Sequence, residues 1–93
     1  MRTIEWTSQF KRDYKRENRG QYRKTLDDDL STIVDTLASD QALDPHHVDH
    51  VLSGDWKDHR ECHIKPDLLL IYQKPDDETL RLVRLGSHSA LGL

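Results

Sequence analysis

The chain has 93 residues, of which 34% are hydrophobic and 33% are charged, and its formal net charge at pH 7 is −3. This length supports one domain, residues 1–93, with a single modest core. No apolar run approaches the roughly 20 residues of a membrane span, and the first residues lack the apolar stretch of a secretory signal. The single cysteine, Cys62, excludes an intramolecular disulfide, so we expect a core residue in a cytoplasmic protein.

The charge is distributed unevenly along the chain. Residues 1–24 contain eight Lys or Arg and three Asp or Glu, a net +5, whereas residues 25–58 contain one and nine, a net −8. Residues 59–93 are balanced, with five of each sign. A basic segment attracts polyanions through its local field even when the total charge is negative. The negative net charge therefore does not exclude an RNA partner.

The N-terminal part of the sequence predicts one strand followed by two helices. Met1–Glu5 alternates polar and apolar residues, as an edge strand does. A first helix, capped by Thr7 or Ser8, should end near Gly20, and a second should cover Gln21–Ala38. The second helix has one apolar stripe, which consists of Leu26, Leu30, Ile33, Val34 and Leu37. A short connection makes these helices an antiparallel hairpin.

The remainder predicts a loop and three strands. Asp40–Ser53 is expected to be an irregular loop. Alternation predicts a strand over Asp55–Ile64, and the apolar run Leu68–Tyr72 is suited to a central strand. Thr79–Ser87 follows a polar turn as the last strand. This order predicts an α+β fold in which the N-terminal strand and helical hairpin pack on a mostly antiparallel four-stranded sheet, whose other face is left available.

Histidine, arginine and aspartate side chains are concentrated in the second half of the sequence. An imidazole changes charge near neutral pH, so it can take a proton from a ribose 2′-hydroxyl or return one to a leaving oxygen. A guanidinium can hold the negative charge that builds on a phosphoryl group. These are the groups that a small metal-free ribonuclease needs. They are carried by His50, Arg60, His63, Asp67, Arg84 and His88.

Two local arrangements indicate a site. His63 and Asp67 flank Pro66, so a turn should bring the carboxylate beside the imidazole, either for acid–base chemistry or as a surface ion pair. Arg84 and His88 are four residues apart near the end of the last strand, so both could be aimed at one phosphate. The histidines expected to be ordinary surface residues are His46, His47 and His59.

Other residues could contact RNA without taking part in the chemistry. Trp56 could stack on a base, although core packing is slightly favoured for it, and Tyr72 is predicted to be a core residue. The candidate phosphate contacts are Lys57, Arg60 and Lys65. The first helix carries a basic stripe of Arg12, Arg16 and Arg19. For this stripe, contact with RNA or the ribosome and a plain solvated helix face are both open.

Three segments carry a family resemblance. They read L-x-G-x-W-K over Leu52–Lys57, R-x-x-H-I-x-P-D-x-x-L-I-Y over Arg60–Tyr72, and R-x-G-S-H-S-x-L over Arg84–Leu91. In these segments the chain resembles the YafQ branch of the RelE/ParE toxin superfamily, the mRNA interferases of bacterial type II toxin–antitoxin pairs. The resemblance extends over nearly the whole chain, is weak before Leu26, and implies the same RelE-like fold.

The resemblance also implies an activity and partners. In the YafQ-like toxins the positions of His63, Asp67 and His88 are catalytic, and His50 matches a third catalytic histidine. The implied enzyme is a ribosome-dependent endoribonuclease that cleaves mRNA by 2′-hydroxyl attack and inhibits translation. Because imidazoles and arginines can perform the whole reaction and no complete ligand set is visible, we expect that it needs neither a cofactor nor a metal. A histidine or Asp67 would take the proton, Arg84 would stabilise the charged oxygens, and His88 would protonate the leaving oxygen. A cognate antitoxin would cover the site, and operator DNA would be bound only through the antitoxin complex.

One position departs from the family pattern. These toxins commonly carry an aromatic residue shortly after the closing His-x-x-Leu, where it helps to arrange the substrate. Gly92 stands at that position here. The departure puts the rate and the base preference in doubt, and leaves the class unchanged.

Two alternatives remain open from the sequence. ParE-like proteins share the fold and poison gyrase without hydrolysing RNA, but they lack the histidine set. A metal could instead bind the loop around His46 and His50, which would face one way on a helix, although no second group of Cys or His ligands follows. The residues of that loop are Asp44, His46, His47, Asp49 and His50.

Overall fold

One sheet and three helices make up the structure, a computed structural model that describes residues 1–93. The strands are β1 (Thr3–Trp6), β2 (His50–Val51), β3 (Arg60–Lys65), β4 (Leu68–Gln73) and β5 (Thr79–Gly86). The helices are α1 (Ser8–Glu17), α2 (Leu26–Ala38) and α3 (His88–Leu91), and single 3-10 turns lie at Pro45–His47 and Gly54–Trp56. The strand order is β1-β5-β4-β3-β2, with β1 parallel to β5 and the other neighbours antiparallel. No helix has the length and apolar character needed to cross a bilayer.

The α+β class is confirmed, but the sheet has five strands rather than the four that were predicted. His50 pairs with Glu61 and Val51 pairs with Arg60, so two residues of the predicted loop form an edge strand. A strand of two residues is too short to show alternation in a sequence. β3 begins at Arg60 instead of Asp55 because Asp58 has a φ of 69°, a left-handed conformation that interrupts extended backbone.

The two helices are shorter than predicted. The hydroxyl of Thr7 accepts a hydrogen bond from the amide of Phe10 at 3.0 Å, which confirms Thr7 as the cap of α1. α1 then ends at Glu17, and α2 does not begin until Leu26. Tyr22 is the only large apolar side chain in residues 18–25, so a longer helix would have no apolar face to pack against the core.

β4 lies at the centre of the sheet and is buried on both of its faces. Every residue of Leu68–Tyr72 is at most 1% exposed, which confirms the predicted central strand and the core position of Tyr72. One face, which we call the α1–α2 face, carries a cluster of 15 buried residues, including Cys62. Burial raises the pKa of the Cys62 thiol to about 12, as is typical of an unreactive core cysteine.

The other face, which we call the α3 face, is smaller and partly covered. Its buried residues are Leu69, Ile71, Val83 and Leu91, with Leu52 and Trp56 packed against them. The prediction that this face is left available is therefore only partly correct, because α3 and the second 3-10 turn shield its apolar centre. The packing of Trp56 here agrees with the core role that was slightly favoured for it.

A buried carboxylate joins α1 to β5 beyond the end of β1. Asp13 is 3% exposed and accepts hydrogen bonds from Arg84 Nε at 2.7 Å and from the amide of Leu85 at 3.0 Å. Arg16 Nη2 donates to the carbonyl of Leu85 at 2.9 Å. Burial alone would raise the pKa of Asp13, but the hydrogen bonds from Arg84 and Leu85 lower it below its ordinary value. We call Asp13, Arg16 and Arg84 the α1–β5 clasp.

We expect Asp13→Asn to destabilise the fold by about 3 kcal/mol at pH 7, because Arg84 keeps its buried charge and loses its counter-charge. The lowered pKa of Asp13 means that its contribution to stability is present above the unfolded pKa and is lost as the pH falls through the folded one. The difference between variant and parent should therefore shrink below about pH 4. Urea unfolding across this range measures it, with Asp77→Asn, at an exposed position, as the control. If Asp13→Asn lowers the free energy of unfolding at pH 7 no more than the control does, the clasp does not stabilise the fold.

Candidate active site

Four side chains from three parts of the chain meet at the edge of the α3 face. Glu61 and His63 alternate on β3, so they project to the same side, and their partners on β4 are Ile71 and Leu69 of the α3 face. Asp67 lies in the turn between β3 and β4, and His88 is the first residue of α3. We call Glu61, His63, Asp67 and His88 the imidazole–carboxylate cluster.

The cluster consists of two carboxylate–imidazole pairs. Asp67 Oδ1 lies 2.6 Å from His88 Nδ1 and also accepts the backbone amide of His88 at 3.0 Å. Glu61 Oε1 lies 3.2 Å from His63 Nε2. The two rings are arranged edge to face, with centroids 5.5 Å apart and planes inclined at 78°. The imidazoles are therefore close enough to act on neighbouring oxygens of a single bound group.

The environments of the two carboxylates differ. Glu61 is 4% exposed, so its carboxyl group lies in a region from which water is largely removed. Asp67 is exposed, and hydrogen bonds from the amide and then the imidazole of His88 lower its pKa. A carboxyl group with a lowered pKa is a weak base. The geometry therefore favours Asp67 as the group that orients His88, with its proton on Nδ1 and Nε2 left for a substrate.

The partners differ from those that the sequence predicted. His63 was expected to pair with Asp67, but its carboxylate partner is Glu61, and Asp67 instead binds His88. The turn at Pro66 does place Asp67 at the end of the strand pair, yet it aims the carboxylate across the sheet towards α3. Glu61 was not among the predicted site residues. Its signal in the sequence was a charged residue two positions before His63, on the same face of a strand.

The sequence predicted that Arg84 and His88 are aimed at one phosphate, and in the structure part of the Arg84 guanidinium is taken up by the clasp. Its Nε and Nη2 both donate to Asp13, at 2.7 and 3.3 Å. The prediction relied on strand alternation from Arg84 to His88, but β5 ends at Gly86 and His88 begins α3, so the alternation does not reach His88. Arg84 still borders a depression next to Gln9 and Arg12.

His50 lies on β2 opposite Glu61, which places it by register on the same face as the cluster. It is exposed, and its Nδ1 lies 2.8 Å from the carbonyl of Val48. That contact makes Nδ1 the protonated nitrogen and leaves Nε2 as an acceptor. Val48 has a φ of 50°, which is a strained conformation for a β-branched residue. The strain lies two residues before a candidate catalytic group.

Of the predicted RNA contacts, only some present a free charge. Lys57, Arg12 and Arg19 are exposed and make no ion pair. Arg19 lies beyond the end of α1, so the predicted helical stripe is incomplete. Arg16 is committed to the clasp and to Glu17.

Two more of these cations are held by acidic partners. Lys65 Nζ lies 2.8 Å from Asp29 of α2, on the α1–α2 side of the sheet. Arg60 Nε lies 3.3 Å from Asp49, whose carboxylate also accepts the hydroxyl of Tyr72 at 2.6 Å. Because only the fold brings these acidic partners close, the sequence alone overestimated the number of cations that are free to bind RNA.

A metal ion could be held by three members of the cluster. Glu61, His63 and His88 each offer a ligand atom, and these atoms lie within 4.8 Å of one another. The loop that the sequence offered as an alternative does not gather in this way. His46 Nδ1 faces Asp44 at 2.6 Å, and His47 Nδ1 lies 2.7 Å from the carbonyl of His63.

The helices on one face and the paired imidazoles at the edge of the other define a small α+β toxin of the RelE/ParE superfamily. More narrowly, the chain belongs to the YafQ family: the family model described as "Bacterial toxin of type II toxin-antitoxin system, YafQ" matches residues 2–92. The "mRNA interferase toxin YafQ" of Escherichia coli K12 is 37% identical over 97% of this chain and 95% of that protein.

Solved structures agree with this assignment. A copper-bound mutant toxin from Helicobacter pylori has a TM-score of 0.84 and 39% identity, covering 98% of this chain and 99% of that one. The toxin in the E. coli DinJ–YafQ complex has a TM-score of 0.79 and 32% identity, covering 98% of each chain.

The orientation of His88 can be tested directly. We expect neutral His88 to carry its proton on Nδ1, because that nitrogen faces Asp67, and Asp67→Asn to reduce this preference. Long-range ¹H–¹⁵N NMR spectra of histidine-labelled protein measure the tautomer, with Asp55→Asn, at an exposed position outside the cluster, as the control. An unchanged tautomer in Asp67→Asn would show that Asp67 does not orient the ring.

Proposed function

We propose that this chain is a ribosome-dependent mRNA interferase whose active site is the imidazole–carboxylate cluster. The observation that carries the proposal is the pairing of each imidazole with its own carboxylate, at 3.2 Å for His63 and 2.6 Å for His88. Such pairs are suited to moving protons near neutral pH. Membership of the YafQ family and the mRNA interferases among the relatives support it.

The cleavage proceeds by attack of a ribose 2′-hydroxyl on the adjacent phosphorus. His63 takes the hydroxyl proton, and the buried charge of Glu61 stabilises the imidazolium that forms. The new bond from O2′ to phosphorus replaces the bond from phosphorus to O5′, and His88, which enters this step as an imidazolium with Nδ1 held by Asp67, gives its Nε2 proton to O5′. The products are a 2′,3′-cyclic phosphate and a 5′-hydroxyl. Each positioned proton transfer contributes ~10²–10⁴-fold.

Two further residues complete the proposed site. His50 approaches from β2 with Nε2 unprotonated, so it supplies a second base on the same face. Arg84 stabilises the charged phosphoryl oxygens through guanidinium N–H groups that Asp13 does not occupy. Of the predicted RNA contacts, Lys57, Arg12 and Arg19 are free to bind the RNA backbone or the ribosome, and Trp56 packs on the α3 face. A cognate antitoxin restrains the activity, as DinJ forms a complex with YafQ in E. coli.

The first test is expression without an antitoxin. Translation and growth should stop, and mapping of RNA 5′ ends should show new cleavages within coding sequences. His88→Ala should restore growth, because the cleavage rate falls ~10²-fold or more while ribosome binding is retained. Arg12→Gln with Arg19→Gln should instead weaken ribosome binding in a salt-dependent way and leave the rate of single-turnover cleavage on saturating ribosomes unchanged. Normal growth with abundant folded protein, or growth arrest with changed DNA topology and intact mRNA, would refute the proposal.

We also propose that the reaction is metal-independent, since imidazoles supply both proton transfers. An ion held by Glu61, His63 and His88 would polarise a phosphoryl oxygen, but it would bind one nitrogen of each imidazole and the Glu61 carboxylate on which the proton transfers depend. EDTA should therefore leave the cleavage rate unchanged, whereas added Zn²⁺ or Cu²⁺ should lower it. Single-turnover cleavage on purified ribosomes measures both effects. Loss of cleavage in EDTA and its return with metal would overturn this part of the mechanism.

A further inference from the structure

We propose that Asp49 and Tyr72 are positioning residues for His50, the candidate base on β2. Their hydrogen bond holds the backbone of Val48 in a strained conformation, and the carbonyl of Val48 in turn orients the His50 imidazole. The proposal deepens the proposed function and rests on it, because it assigns a role to two residues that act on the reaction only through His50.

The contact between Asp49 and Tyr72 ties the segment before β2 to the core. Tyr72 is 1% exposed in the cluster of the α1–α2 face, and its hydroxyl donates to Asp49 Oδ1 at 2.6 Å. Arg60 Nε lies 3.3 Å from that carboxylate and 3.3 Å from the Tyr72 hydroxyl. Burial, and then the hydrogen bond to Asp49, raise the pKa of Tyr72, so its hydroxyl remains a donor at neutral pH. We call Asp49, Arg60 and Tyr72 the β2 anchor.

Asp49 lies between a strained residue and the candidate base. Val48 has a φ of 50°, a conformation that a β-branched residue keeps only where surrounding contacts hold it. The carbonyl of Val48 lies 2.8 Å from His50 Nδ1. His50 pairs with Glu61, whose side chain belongs to the cluster at the α3 face, whereas Asp49 contacts the α1–α2 face. The anchor therefore transfers the fixed position of the core to an imidazole on the other side of the sheet.

No apolar packing could hold this segment in place of the anchor. Val48 and Val51, on either side of Asp49 and His50, are 51% and 63% exposed. Within residues 48–51, only Asp49 has a side chain that hydrogen-bonds to another strand. A contact from a neutral donor to a charged acceptor is stronger than one between neutral groups, and breaking it leaves a buried hydroxyl unpaired. The position of β2 therefore depends on the anchor.

The anchor has a chemical consequence for His50. The carbonyl of Val48 keeps the proton of neutral His50 on Nδ1, which leaves Nε2 free to accept a proton from a ribose hydroxyl. Without the anchor, Val48 relaxes to a negative φ and turns its carbonyl away. An unconstrained imidazole carries its proton chiefly on Nε2, so His50 would lose the tautomer that a base requires.

The tautomer of His50 is the first measurement, made by long-range ¹H–¹⁵N NMR on histidine-labelled full-length protein. Asp49→Ala should move the proton of neutral His50 from Nδ1 to Nε2, and Tyr72→Phe should do so to a smaller extent, because Arg60 still holds Asp49. Asp55→Ala, at an exposed position, is the control and should leave His50 unchanged. The tautomer of His88, which Asp67 sets, should be unchanged in all three variants and reports that the fold is intact.

A rescue separates positioning from general stability. Val48→Gly in the Asp49→Ala protein should restore the Nδ1 tautomer of His50 at least in part, because glycine adopts a positive φ without strain. Three results would each overturn the proposal: an unchanged His50 tautomer in Asp49→Ala, no restoration by Val48→Gly, or a tautomer of His88 that changes together with that of His50.

Single-turnover cleavage on purified ribosomes is the second measurement. Asp49→Ala should lower the rate at saturation about tenfold, and the ribosome concentration for half-saturation should change less than about twofold. In a His50→Gln protein the same substitution should cause no further loss, because its effect passes through His50. An equal loss in both backgrounds, or no loss in either, would refute the positioning role and leave the proposed function standing. If the tautomers change as expected and the parent does not cleave RNA, the proposed function fails and the positioning of His50 stands.

Discussion

Where β1 ends beside Leu82, the last four residues of β5 have no neighbouring strand on that side, and the side chains of α1 take its place. Asp13 accepts the amide of Leu85, and Arg16 donates to its carbonyl, as a strand would. Burying Asp13 is unfavourable unless its charge is balanced, and Arg84 balances it. Three charged groups thus fix the first helix against the strand that leads directly into α3, and so fix the position of His88.

The two faces of the sheet bury different amounts of apolar surface. The α1–α2 face carries the cluster of 15 buried residues. The α3 face buries four residues and keeps its polar groups at the edge, where the turn after β3 and the start of α3 meet. β4 contributes to both faces, since Leu69 and Ile71 belong to the α3 face and Leu68, Leu70 and Tyr72 to the α1–α2 face.

Much of the fold could be predicted because its signals are local. The apolar stripe of α2, the cap at Thr7 and the buried run Leu68–Tyr72 each show their structure in consecutive residues. The strand at His50–Val51 could not be predicted, because two residues have no periodicity. The start of β3 depends on the left-handed backbone of Asp58, which is not a residue type that demands it.

The members of the site could be predicted better than their partners. His63, Asp67 and His88 do meet, as histidines and a carboxylate in one short motif suggest. The pairing of each carboxylate with its imidazole depends on how β3, the turn and α3 are placed relative to one another. Only this placement shows that Glu61 belongs to the cluster. Arg84 was misplaced because its partner, Asp13, lies 71 positions away and no local pattern connects them.

The parallel pairing of β1 with β5 joins residues 76 positions apart, as in the contact between Thr7 and Val83. During synthesis, β1 therefore has no partner until nearly all of the domain has been made, and closing so distant a contact is slow. His88 is added after β5, so an unfinished chain lacks half of the imidazole pairs and the helix that shields the α3 face. The pairing of His88 with Asp67 can therefore form only after β5 has been made and α3 can fold against the sheet.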